Sequence, residues 1–148
     1  MKNYRNNFFI IILLAIIFSS FCRPQVIGKI YTKSTANNLY GSVLNSVEIN
    51  TSLLQKLTSQ TPNYIMFQVI QSKLVVLDSK RNIIYTNGAI SSVSASTVFR
   101  VFSTSIVNEL LKEGNSPESY IEIRNDVLTI TNGEDTLEQS ANCPPICP

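Results

Sequence analysis

The densest concentration of chemistry in the sequence is Cys143-Pro144-Pro145-Ile146-Cys147-Pro148. Two thiols at this spacing can close a disulfide or, reduced and deprotonated, hold a soft ion such as Cu(I). In an oxidising compartment the Cys143–Cys147 disulfide is the expected state, contributing roughly 2 kcal/mol by loop entropy. The carboxylates Asp78, Glu122, Asp126, Glu134 and Asp135 would serve acid/base work only where two converge in a cleft, and their positions predict solvated turn and edge residues. The stretch from Ser91 to Ser96 offers hydroxyls without a base to activate them and reads as a linker. Asn50-Thr51-Ser52 fits a glycosylation acceptor, but Asn50 is accounted for as a helix cap. Histidine is absent from the chain. That removes a Ser-His-Asp or Cys-His catalytic pair and the commonest zinc ligand together. No catalytic residue, cofactor or metal site is therefore assigned, apart from Cys143 and Cys147 as alternative copper ligands, and the expected activity is non-enzymatic.

The N-terminus predicts where such a chain would go. Lys2 and Arg5 precede an unbroken apolar run from Phe8 to Phe18, followed by Ser19, Ser20, Phe21 and Cys22. This charged, apolar, small-residue order is that of a secretory signal. The run makes a helix of roughly 17 Å against a bilayer core of about 30 Å, so a stable span is the weaker reading. Ser20 and Cys22 place small side chains where a signal peptidase probes, which predicts cleavage after Cys22, a mature chain from Arg23, and a periplasmic, cell-surface or secreted protein. Acylation of Cys22 is the competing reading and the route by which the protein would meet a membrane; bulky Phe21 before the cysteine argues against it.

Loss of Lys2 and Arg5 leaves ten basic and ten acidic residues. A neutral domain has no electrostatic case for nucleic acid. The charge is unevenly spread, with 8 basic and 2 acidic residues from Arg23 to Asn108 and 2 and 8 from Glu109 onward. The expectation is that these halves pack on each other; head-to-tail association of copies into a homo-oligomer is the alternative. A hydrophobic content of 44% supports one folded core.

An internal repeat organises that core. Val47–Leu57 aligns with Arg100–Leu110 at an offset of 53, with Thr51/Thr104, Ser52/Ser105 and Leu57/Leu110 identical. The same offset places Ile70 with Ile123, Leu74 with Val127 and Leu77 with Ile130, after a slip in the intervening loop. Each repeat reads as strand, helix and strand meander. Asn50 and Ser103 are the predicted N-caps, Leu53, Leu54 and Leu57 the buried face of the first helix, and Ile106, Val107, Leu110 and Leu111 that of the second, which stops at Gly114-Asn115. In the second meander an Asn125-Asp126 hairpin sets Ile123 against Leu128 and Ile121 against Ile130, leaving Glu122 and Thr129 on a more exposed side. An Asn132-Gly133 turn predicts Leu137 opposite Leu128, and Ser72-Lys73 is the corresponding turn of the first meander. The first-meander strands, Tyr64 to Ile70, Leu74 to Leu77 and Ile83 to Tyr85, are apolar almost throughout and are expected near the centre of the sheets, and the aromatics Tyr64, Phe67, Tyr85, Phe99 and Phe102 fall inside predicted strands as core residues. The predicted organisation is a signal peptide (1–22), an N-terminal segment (23–45), an α+β domain of two β-α-β-β-β repeats (46–86 and 98–138) with two short helices, and a Cys/Pro tail (139–148).

Two resemblances accompany these residues. Two β-α-β-β-β units with an "I/F-x-T-S-hydrophobic" start to each helix resemble the units of sliding processivity-clamp domains, over Ser46 to about Glu138. In clamps the helices face DNA; here Lys56 and Lys112 stand beside Glu109 and Glu113, so the resemblance bears on fold alone. The final six residues are similar to the C-P-x-[IV]-C-P site of SCO copper chaperones, which implies Cys143 and Cys147 as copper ligands; that family's histidine ligand has no counterpart. The sequence thus points to an exported binding or assembly module for an unknown protein or cell-envelope partner, with a thiol-redox or Cu(I)-binding protein as the alternative.

Overall fold

The computed structural model describes residues 25–90 and 93–143. The predicted signal sequence, its cleavage site, Ser91, Ser92 and Cys147 fall outside these residues. The chain runs β1 (Lys29–Thr32), α1 (Lys33–Tyr40), β2 (Asn45–Asn50), α2 (Thr51–Ser59), β3 (Tyr64–Ile70), β4 (Lys73–Leu77), β5 (Ile83–Thr86), β6 (Phe99–Ser103), α3 (Thr104–Gly114), β7 (Glu118–Arg124), β8 (Val127–Asn132), β9 (Asp135–Glu138) and β10 (Ala141–Cys143). It is an α+β protein built on two five-stranded antiparallel sheets, ordered β1-β9-β8-β7-β2 and β10-β6-β3-β4-β5. Both β2-α2-β3-β4-β5 and β6-α3-β7-β8-β9 have the expected order, and each gives its first strand to the other's meander: β2 pairs with β7, and β6 with β3. The joints correspond. The Thr51 amide donates to Pro117 O and the Thr104 amide to Asn63 O, both at 2.9 Å.

Local chemistry explains most boundaries. Asn50 caps α2 by accepting from the amides of Ser52 at 3.0 Å and Leu53 at 3.4 Å. Ser103 stands at the start of α3 but makes no side-chain cap there. Its hydroxyl instead accepts from the Ile27 amide at 2.7 Å, a partner the N-terminal segment brings in and the local sequence does not reveal. Asn115 ends α3 in the left-handed region at φ 47°. Asn125 and Asp126 form the predicted hairpin, with φ values of 40° and 67°, so Ile123 faces Leu128 and Ile121 faces Ile130. Two turns lie one residue from their expected places. Gln71-Ser72, both at positive φ, replaces Ser72-Lys73 and pairs Ile70 with Lys73. Gly133-Glu134 replaces Asn132-Gly133, because Asn132 still pairs with Asp135; Leu137 therefore faces Ile130, not Leu128. The two meanders consequently correspond at an offset of 54, with Leu74 matching Leu128.

The main core lies between the sheets and joins Val47, Ile49, Phe67, Leu74, Phe102, Ile121, Leu128 and Leu137 to α2 (Leu54, Leu57) and α3 (Val107, Leu110, Leu111). Leu53, Ile106 and Ile123 pack against it while partly buried. A second cluster, Tyr64, Met66, Val75, Leu77, Phe99, Val101 and Cys143, fills the outer face of the β3–β4–β6 sheet, where Ile27, Ile90 and Val93 cover it. With both faces covered, β3 and β4 carry the continuous apolar runs the sequence shows; β5, expected near the centre, is a sheet edge. The segments flanking the two meanders are structured as well. The expected N-terminal segment supplies β1 and α1 from Lys29 to Tyr40, a third helix beyond the two expected, and β10 takes Ala141–Cys143 from the expected tail onto β6. Among the described residues, no helix is long and apolar enough to cross a membrane.

Candidate functional site

The most organised polar constellation lies on the outer face of the β7–β8–β9 sheet, beneath α1. Strand alternation puts Ile121, Leu128, Ile130 and Leu137 inward, and therefore Glu122, Arg124, Thr129, Thr131, Thr136 and Glu138 outward. Left bare, that face would be solvated. The fold covers it, and Glu122 at 8% and Thr129 at 0% exposure are buried, contrary to the expectation of a more exposed side. The covering helix starts from Thr32, which caps the Thr35 amide, and bends back at Gly41, where φ is 84° and an added Cβ would lie 2.5 Å from Asn125 Nδ2.

Arg124, 2% exposed, is the hub. Its Nη2 donates to Glu122 Oε2 at 2.8 Å, and its Nη1 to Gly41 O at 3.1 Å and to Asn37 Oδ1. One guanidinium thus ties β7 to α1 and to the turn that follows it. Glu122 Oε2 also accepts from Thr131 Oγ1 at 2.9 Å, and Thr131 meets Thr136 at 3.1 Å. Glu138 is the discordant member. It is 0% exposed, its Oε1 lies 4.0 Å from Arg124 Nε, and among the described residues neither carboxyl oxygen has a hydrogen-bond partner. Burial raises its carboxyl, Arg124 partly opposes the rise and Glu122 reinforces it, leaving the group at about 7. The arrangement can hold a proton near neutrality and can clamp a helix. Arg124, Thr129, Thr131, Thr136 and Glu138 are each 2% exposed or less, so the arrangement presents little surface to a substrate.

A second polar knot lies where the two halves meet. Asn132 Nδ2 lies 2.9 Å from both Thr51 Oγ1 and Ser119 Oγ and 3.1 and 3.2 Å from the carbonyls of Ser116 and Glu118, so its two hydrogens are shared among four acceptors. Its Oδ1 accepts from the Ser116 amide at 3.1 Å. Beside it an open cleft of about 420 Å³ runs past Asn50, Ser52, Gln55 and Asn115. The polar groups of the knot are satisfied within the protein, so they position α2 and α3 and leave the cleft with ordinary surface side chains.

The residues singled out from the sequence are dispersed. Cys143 is fully buried in β10, where Arg81 Nη1 donates to its carbonyl at 3.3 Å and to its Sγ at 3.1 Å, while Cys147 lies outside the described residues. Asp78 closes its own turn by accepting from the amides of Lys80 and Asn82, each at 2.8 Å. Burial opposes its charge, but these bonds and the Asn82 side chain outweigh that and hold the carboxyl below its usual value. Asp126 sits in the β7–β8 hairpin, and Glu134 and Asp135 at the β8–β9 turn. Of the five candidate carboxylates only Glu122 joins a cluster, and its companions Glu138 and Arg124 were not singled out. The signal for both was their strand parity with Glu122; nothing local announced the helix that buries them. Among the described residues no cluster of His, Cys, Asp and Glu is arranged to hold a metal ion. Comparison with known proteins finds no matching family model, no matching curated protein and no matching solved structure.

Proposed function

We propose that this protein is an exported, non-enzymatic binding or assembly module. The observation that carries the reading is the sealing of its best-organised polar groups: Arg124 and Glu138 are 2% and 0% exposed, and Arg124 spends its Nη1 bonds on fastening α1 to a sheet. Groups placed in this way hold a fold together, whereas turnover requires access. The surfaces offered to a partner are sheet edges, here those of β2 and β5, which together with β1 and β10 end the two sheets and can accept an added strand. The shared element order and exchanged first strands support an internal repeat and a clamp-like topology, which concerns architecture alone.

Photocrosslinkers placed at Glu48 in β2 and Tyr85 in β5 of the exported protein test this reading, with Lys112 on α3 as the reference position. Adducts from the strand positions and none from Lys112 are expected; adducts of equal yield at all three sites defeat it. N-terminal sequencing of the same material is expected to begin at Arg23, and an acylated Cys22 would place the protein on a membrane.

The thiol or Cu(I) reading is retained as the second because the Arg81 guanidinium lies 3.1 Å from Cys143 Sγ, where a cation favours a thiolate once the sulfur is reduced. For the first reading, Cys143 and Cys147 are bridged after export. Cu(I) binding to reduced protein, lost in Cys147→Ser, favours the second; closed sulfurs and no uptake after reduction favour the first.

A further inference from the structure

The fastening of α1 rests in part on one guanidinium that two carboxyl groups flank. Helix α1 has eight residues, too few to persist alone, and buries only Ala36, while its Leu39 is 59% exposed. It is held by the Arg124 bonds to Asn37 and Gly41 O, the Lys33 amide to Glu134 O at 2.9 Å, and Asn125 Nδ2 to Tyr40 O at 3.1 Å. Arg124 therefore supplies two of the ties, one of them to the carbonyl of Gly41, which ends the helix at φ 84°. On its other side Arg124 Nε faces Glu138 Oε1 across 4.0 Å without a hydrogen bond. A neutral acid tolerates that gap. A buried carboxylate does not, because its lone pairs would be unmet; a guanidinium drawn toward it, to about 2.8 Å, would strain the bonds that Arg124 makes to Asn37 and Gly41 O.

We propose that Glu138 and Arg124 form a pH-operated latch, in which the neutral acid leaves the guanidinium on α1 and the ionised acid draws it off, releasing α1 from the sheet. The other groups facing Glu138 do not supply the missing partner. From β7, Glu122 is already bonded to Arg124 and repels a second carboxylate. From β1, Lys29 pairs in register with Glu138 but is exposed, with its ammonium 5.1 Å from the Tyr31 ring centre, and Tyr31 OH accepts from Gln139. Helix α1 brings Tyr40, which feels the Glu138 charge, and β8 presents Thr129 and Thr131 to this face.

The direction follows from the carboxyl, which lies at about 7 with α1 docked against an ordinary 4.5. A group raised in the closed state favours closure fully below 4.5 and loses that contribution as pH climbs to about 7, beyond which opening levels off. Hydrogen exchange on the full chain, expressed as protection after correction for intrinsic chemistry, reads this directly. Between pH 5 and 7 the protection of the Gly41 amide and the last turn of α1 is expected to fall by roughly tenfold or more, while β8 stays constant. Glu138→Gln should keep the pH 5 protection at pH 7, and Asn37→Ala should lose it already at pH 5. Protection that is flat in the native protein, or that falls equally in Glu138→Gln, overturns the latch. NMR titration of the unaltered protein decides the matter independently of whether a variant folds. The Glu138 carboxyl carbon and the α1 amides should shift together with a midpoint near 7, and a midpoint in the ordinary carboxyl range overturns the proposal.

Discussion

At the scale of the residue, corresponding positions in the two halves have different physical fates. Thr51 and Thr104 each open a helix at the end of an exchanged strand. Thr51 Oγ1 meets Ser119 Oγ at 2.8 Å and accepts from Asn132 at 2.9 Å. Thr104 Oγ1 is buried without a partner among the described residues, and Ile65 holds the place that corresponds to Ser119. Valine has nearly the shape of threonine, so exchanging the two isolates the hydroxyl. Thr51→Val should cost about 1–2 kcal/mol in urea unfolding, while Thr104→Val should be neutral or stabilising by up to about 1 kcal/mol. Equal losses at both sites would show that Thr104 has a partner. Glu138 makes the complementary case in charge. Its carboxyl is raised, so the stability it contributes is complete below pH 4.5 and lost by about pH 7. Glu138→Gln is therefore expected to stabilise the whole fold at pH 7 by on the order of 2 kcal/mol and to make little difference at pH 4.5. Denaturation midpoints at the two pH values check the sign.

Elements hold their places here through a few close approaches as much as through area. The end of α3 rests on the β8–β9 turn, where a Cβ on Gly114 would lie 2.3 Å from the Asn132 carbonyl and one on Gly133 would lie 2.3 Å from the Gly114 carbonyl. Backbone on both sides leaves nothing to rotate away. Gly114→Ala should therefore separate α3 from β8 and β9, loosen the Asn132 knot, and cost at least about 2 kcal/mol, even though alanine is the better helix former in isolation. An unchanged melting temperature would mean that the turn adapts freely. Helix α1 is the opposite kind of element, attached by polar ties over a small buried area, and it is where exchange with solvent should be fastest among the helices.

For the whole molecule, the two halves interpenetrate instead of lying side by side, because each completes its sheet with the other's first strand. The acidic second half contains both described ion pairs, Arg124–Glu122 and Arg124–Glu138, so the opposed charges of the halves are not spent on bridges between them. The C-terminal strand is likewise an integral part of the fold. Cys143 is fully buried in the second core beneath Arg81, so Cys143→Ser should destabilise the domain by about 1–3 kcal/mol in any redox state. On the disulfide reading, Cys147→Ser removes the proposed bridge alone, with an expected loss of about 2 kcal/mol in oxidised protein and none after reduction. Equal effects of the two substitutions under reducing conditions would contradict this placement of Cys143.

Sequence alone determined what local physics controls. Alternating side chains and the Asn125-Asp126 turn fixed the β7–β8 register, Asn50 and Asn115 marked helix ends, and the order β-α-β-β-β was readable twice. The dipeptide Asn132-Gly133 is compatible with two hairpin registers, and the bonds of Asn132 to Thr51 and Ser119 choose between them from more than a dozen residues away. Tertiary structure alone decided which strands exchange, that Ser103 serves Ile27 instead of its own helix, and that a polar sheet face is roofed by α1. Strand parity states which residues share a side but not whether another element covers it, since covering is a long-range event. Glu138 and Arg124 could thus be assigned to one face from the sequence, and became a candidate site only when that face was closed.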